Sequence, residues 1–231
     1  MEDQIRADAA ANRFSQWGRS TVVDENTGAP VISEALFAEL HTIAALDAQW
    51  PVGNAGLLHV YGYLLSTVDT PYGRKRDRWL GGGVARAFGL PGEAFAPWLV
   101  APSAPDSTPL ERVAAVAQPF VDDPADGAAT VLWVDELGPV QGAGTDQIVA
   151  RTVIVRDDSG ATALLYAIGS LDALSLVTLF PLDWASPDSR AAWQEALEAE
   201  RPRLRYNGVD SRNEASAPLA ERQTLFRGPQ R

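Results

Sequence analysis

The chain is 231 residues long, 46% apolar, and carries a formal net charge of −11. That is enough apolar material for a sizeable core, while the acidity repels polyphosphates at long range and sets nucleic acid aside as a partner. Cysteine is absent, which excludes disulfides, thiolate zinc sites, iron–sulfur clusters and cysteine nucleophiles together.

Other scarcities narrow the chemistry further. Two histidines, His41 and His59, are too few for a His-rich metal site, and Lys75, the single lysine, sits among arginines and reads as part of a charge patch rather than a Schiff-base residue. No metal and no cofactor are expected, although a haem held by His59 alone is left open. No apolar run approaches the ~20 residues needed to span a bilayer, and Met1-Glu2-Asp3-Gln4 is not a basic start leading into an apolar stretch. These features predict a cytoplasmic protein without a membrane partner, and a homo-oligomer is among the assemblies they allow.

Residues 1–32 are polar and mixed, anchored by Phe14, Trp17 and Val22-Val23, and predict a short helix followed by an irregular approach with nothing catalytic in it. Ser33 is an N-cap for a helix over about 34–47, in which Leu36, Phe37, Leu40, Ile43 and Ala44 recur at helical spacing and His41 flanks the stripe. Trp50-Pro51-Val52-Gly53-Asn54-Ala55-Gly56 then reads as a tight turn. Leu57 to Val68 is continuously apolar or aromatic, and its period does not separate buried strand from buried helix. A strand places His59, Tyr61 and Tyr63 on one face, whereas a helix puts His59 beside Tyr63 and Ser66.

Thr70-Pro71-Tyr72-Gly73 has the chemistry of a type I turn and leads into Arg74-Lys75-Arg76-Asp77-Arg78, where four basic residues fall within five positions. Gly81 to Gly83 precede a short helical piece around 84–88, and residues 93–108 read as a surface connection. Thr108-Pro109-Leu110-Glu111 is a capping box that starts a helix of about two turns stopping by Pro119. From Ala129 the period becomes two, and strands are predicted at 129–137, 147–156, 161–169 and 174–182, joined by short turns as an antiparallel meander. Ser186-Pro187 opens a helix over about 188–200 with Trp193 and Leu197 on its apolar side, and a last strand is expected at Arg203 to Tyr206. The division follows as one α+β domain over 1–208 and a flexible C-terminal tail over 209–231.

Three constellations carry candidate chemistry. His59 is the residue best able to move a proton near neutral pH, with Tyr61 and Tyr63 as catalytic partners that donate to a developing oxyanion. Tyr72, Arg74, Arg76 and Arg78, joined by Arg151 from the second strand of the meander, are the substrate-binding group; in a helix Arg74 and Arg78 share a face and hold a carboxylate or phosphate bidentately. Asp135 or Glu136 is the expected partner of Arg151, because a charge among apolar strand residues must be paired. The glycine triplet matches no nucleotide fingerprint and reads as a flexible joint. Val60-Tyr61-Gly62-Tyr63-Leu64 resembles the V-Y-G-x-L loop of the γ-glutamyl cyclotransferases over five residues, away from the N-terminal position that family uses, so no function is carried across.

The fold expected is α+β: a mainly antiparallel sheet over about 129–182 packed against N-terminal helices, with 57–68 a candidate extra strand. The function expected is a small cytoplasmic enzyme performing cofactor-independent acid–base chemistry of lyase, isomerase, cyclase or hydrolase type on a small anionic or polar metabolite. The alternative is a noncatalytic interaction protein that docks an acidic partner through 74–78. A ribonuclease-type toxin matches the element order but fits the net charge poorly.

Overall fold

A computed structural model describes residues 1–24, 27–71, 73–99, 106–125, 129–141, 147–170 and 173–182, with Ala191 and Glu195; the side chains of 135 and 137–148 are outside that description. The helix expected over 188–200 (beyond those two positions), the strand at 203–206 and the tail at 209–231 fall outside the described residues.

The meander forms as its period predicts. Strands β3 (Thr130–Gln141), β4 (Gln147–Arg156), β5 (Thr162–Ser170) and β6 (Ala173–Leu182) pair antiparallel in chain order. Its alternation sorts side chains to two faces. Val153, Val155, Leu165 and Leu179 join the main core, while Ile154, Leu164 and Leu182 form a second cluster.

Helices α1 (Glu2–Ala10), α2 (Glu34–Ile43), α3 (Lys75–Leu80), α4 (Gly83–Ala87) and α5 (Pro109–Asp122) make the other layer, with α4 and α5 against β5 and β6. Their ends follow local chemistry. Ser33 caps α2 by accepting from Leu36 N–H at 3.2 Å, and Thr108 caps α5 by accepting from Glu111 N–H at 3.1 Å. Helix α2 stops earlier than its apolar spacing suggests, because Ala45 turns to φ 52° and Leu46 N–H closes back on the His41 carbonyl at 3.0 Å. Helix α5 runs longer than expected, through Pro119; Ala115, whose carbonyl loses its partner there, and Pro119 itself are both exposed, so water accepts the loss.

Two expectations change in the N-terminal half. The irregular approach and the Pro-Gly turn contain short strands, β1 (Arg19–Thr21) and β2 (Val52–Asn54), paired antiparallel with Ser20 opposite Gly53. The segment after them is a helical run, Leu57–Tyr61 with π-helical winding and Gly62–Leu65 with 3₁₀ winding, and is not a strand of the sheet. Asn54 starts it by accepting from Leu57 N–H at 3.1 Å. Leu57, Leu58, His59, Val60 and Tyr61 are all buried, which is why the segment reads as apolar all round and shows no face. Among the described residues no helix is long and apolar enough to cross a membrane.

Candidate functional site

The buried helical run carries polar side chains in two directions. Residues two apart on a helix point away from each other, whereas residues four apart meet. Tyr61 therefore leaves His59 and goes to the other side, while Tyr63 stays with it.

On the Tyr61 side lies a closed polar knot. Asp8, buried in α1, accepts from Tyr61 Oη at 2.5 Å, from Thr108 Oγ1 at 2.6 Å and from Arg13 Nη1 at 3.2 Å. Arg13 continues to Glu111 at 2.9 Å. Thr108 thus caps α5 and ties it to α1, so the knot fastens three helical elements. Burial holds the Asp8 carboxyl above its ordinary value despite these donors, and burial followed by the Asp8 carboxylate holds the Tyr61 phenol above its own. Tyr61, expected beside His59 as a catalytic group, is a structural donor.

On the His59 side the cluster is open. His59 is 2% exposed, its Nε2 lies 3.2 Å from Ser20 Oγ, and its Nδ1 has no hydrogen-bond partner. The Tyr63 ring stacks on the imidazole, with centroids 4.6 Å apart and planes at 25°. Lys75 Nζ sits 5.0 Å from the Tyr63 ring centroid and pairs with the buried Asp24 carboxylate at 2.9 Å. Burial, and next the Lys75 charge, push the imidazole down to about 3, so at neutral pH it is uncharged. Burial works against the Lys75 ammonium, yet Tyr63 and Asp24 outweigh it and keep Lys75 above its usual value.

The guanidinium groups expected at this place are elsewhere. Arg74 precedes α3 in extended backbone, so it does not share a helical face with Arg78; it turns back to Asp69 at 2.8 Å, both side chains being largely exposed. Arg76 is exposed. Arg78 donates to the Pro181 carbonyl at 3.4 Å and lies over the Phe180 ring, on β6. Arg151 pairs with Glu136, its direct cross-strand neighbour, and donates to the Val121 and Asp122 carbonyls at the C-terminal end of α5, where a cation is favoured. It locks helix to sheet. Tyr72 lies outside the described residues.

Two further features of the sequence find structural explanations. His41 is neutral and fully used: its Nδ1 lies 2.8 Å from the Phe37 carbonyl and its Nε2 accepts from Asn54 N–H at 3.2 Å. A Cβ on Gly53 would come within 2.2 Å of that Nε2, so only glycine lets β2 close on α2. In the glycine triplet, Gly82 has φ +71° and a Cβ there would meet Gly92 Cα at 2.5 Å, which makes it a close backbone crossing.

The cluster around His59 thus brings together, about one tyrosine ring, a neutral imidazole, a hydroxyl and an ammonium whose charge is balanced by the Asp24 carboxylate. Ser20 and Asp24 come from the first 32 residues, where sequence reasoning looked for nothing catalytic, and Lys75 had been merged into the basic run. The one signal available is that the single lysine of an acidic chain lies within a turn of three arginines, Arg74, Arg76 and Arg78. Among the described residues no three His, Asp or Glu side chains are grouped to hold a metal. Comparison of the chain with protein-family models, with curated proteins and with solved structures gives no match in any of the three.

Proposed function

We propose that the chain is a small cytoplasmic enzyme that performs acid–base chemistry on a small anionic or polar metabolite without a nucleotide cofactor. His59 is the proton acceptor, Tyr63 orients it and Lys75, held by Asp24, faces the negative charge of the substrate. One observation carries this reading: His59, 2% exposed, keeps Nδ1 without a partner although nearly every buried polar group in a folded protein finds one.

The experiment is turnover. The full chain is incubated with a panel of small carboxylates, phosphates, esters and amides, followed by one-dimensional proton NMR, and His59→Gln is run beside it. The expectation is conversion of at least one compound, slowed at least about 100-fold by the substitution, the usual loss when a proton-transfer group is removed. A folded His59→Gln variant that matches the wild type on every converted compound ends the proposal.

A second reading has its own observation. Arg76 is exposed on α3, pointing away from the buried cluster, which favours α3 as a docking surface for an acidic partner. Such a complex would dissociate steeply with added salt, whereas turnover at a buried site would change little.

A further inference from the structure

The geometry narrows the proton that His59 accepts. Its Nε2 is already engaged by Ser20 Oγ at 3.2 Å, and Ser20 is half-buried while His59 is buried beneath it. Of the two residues Ser20 is the more exposed, and so the one nearer to solvent. The stacked Tyr63 ring holds the imidazole plane that a third hydrogen-bonding group would otherwise orient.

We propose that Ser20 is a nucleophile activated by His59, and that the substrate is a small carboxylic ester or amide bearing a negative charge near the acyl group. The inference rests on the reading of His59 given above and assigns its proton. Ser20 Oγ attacks the acyl carbon as its proton passes to His59 Nε2. The tetrahedral oxyanion collapses, the bond to the leaving group breaks, and that group departs with the proton from His59. Water then attacks the acyl-serine, gives one proton to His59, and Ser20 Oγ leaves with it as the free acid forms. No oxidant, reductant or further reactant enters. Lys75, shared with the Asp24 carboxylate, favours an anionic acyl chain, and the nascent imidazolium, which burial and Lys75 disfavour in the free protein, is formed beside the oxyanion that balances it.

Labelling by diisopropyl fluorophosphate tests this on the intact chain, since a serine activated by a base is phosphorylated far faster than an ordinary one. Intact mass should show a single diisopropylphosphoryl adduct, and peptide mapping should place it on Ser20. Ser20→Ala should lose the adduct, and His59→Gln should form it at least 100-fold more slowly. After subtraction of the rate without protein, which the succinate's own carboxylate raises by intramolecular attack, mono-p-nitrophenyl succinate should be hydrolysed faster than p-nitrophenyl acetate, with an initial burst stoichiometric with the protein. Folded wild-type protein that takes up no label, or carries it at another residue, overturns the inference without needing any variant. The two readings fail separately: if Ser20→Ala keeps the turnover that His59→Gln loses, the nucleophile is wrong and the proton acceptor stands, and if neither loses it both fall.

Discussion

Two polar clusters hang from opposite sides of the same buried helical run, one through Tyr61 and the other through His59. In the first, the Asp8 carboxylate receives three donors and every partner is itself anchored to a helix. In the second, Ser20, Tyr63, Lys75 and Asp24 surround an imidazole that retains a nitrogen without a partner. Both are buried and both shift the ionisation of their members, so neither burial nor a displaced pKa separates architecture from chemistry. Completeness differs between them: the satisfied network holds elements together, whereas the partnerless Nδ1 of His59 costs stability, as do Gln4 Oε1, Ser66 Oγ, Trp79 Nε1 and Trp133 Nε1 among the described residues.

Acid should separate the clusters most. The His59 imidazole is about 3 when folded against 6.5 for the unfolded chain, so below pH 6.5 the unfolded state binds the extra proton and native stability falls with pH until about 3. The gap corresponds to roughly 5 kcal/mol across that window. Urea denaturation at pH 7, 5 and 4 should show the loss, and His59→Leu should flatten that part of it; parallel curves for the two proteins would contradict the folded imidazole's low value.

Removing the centre of the closed cluster should come next. Asp8→Ala leaves Tyr61, Thr108 and Arg13 without their acceptor, at a cost of about 3–5 kcal/mol in a denaturation midpoint at pH 7. Tyr61→Phe deletes one donor to a buried carboxylate and should cost about 2 kcal/mol. A change below about 0.5 kcal/mol would mean that Tyr61 does not belong to the knot.

The smallest effect should fall on the open cluster. His59→Leu at pH 7 should alter stability by less than about 1 kcal/mol, because the half-exposed Ser20 can turn to water and one buried orphan is removed. Measured beside Asp8→Ala, it tests whether completeness distinguishes the two clusters: equal losses would make His59 as structural as Asp8.

The sequence by itself determined the elements whose cause is local. The meander follows from alternation within each strand, and the caps at Ser33 and Thr108 follow from residues three apart; for Arg151 the sequence offered Asp135 or Glu136, and strand register chose Glu136. The sites were decided by separations that no window contains: Ser20 meets His59 across 39 positions, Tyr61 meets Asp8 across 53, and Thr108 meets Asp8 across 100. The turning point was 57–65, where burial on every side erased the period that tells helix from strand. A strand would have gathered His59, Tyr61 and Tyr63 on one face. The helical winding sends Tyr61 to the scaffold and leaves His59 with Tyr63, and only packing against β2, α3 and α5 could make that choice.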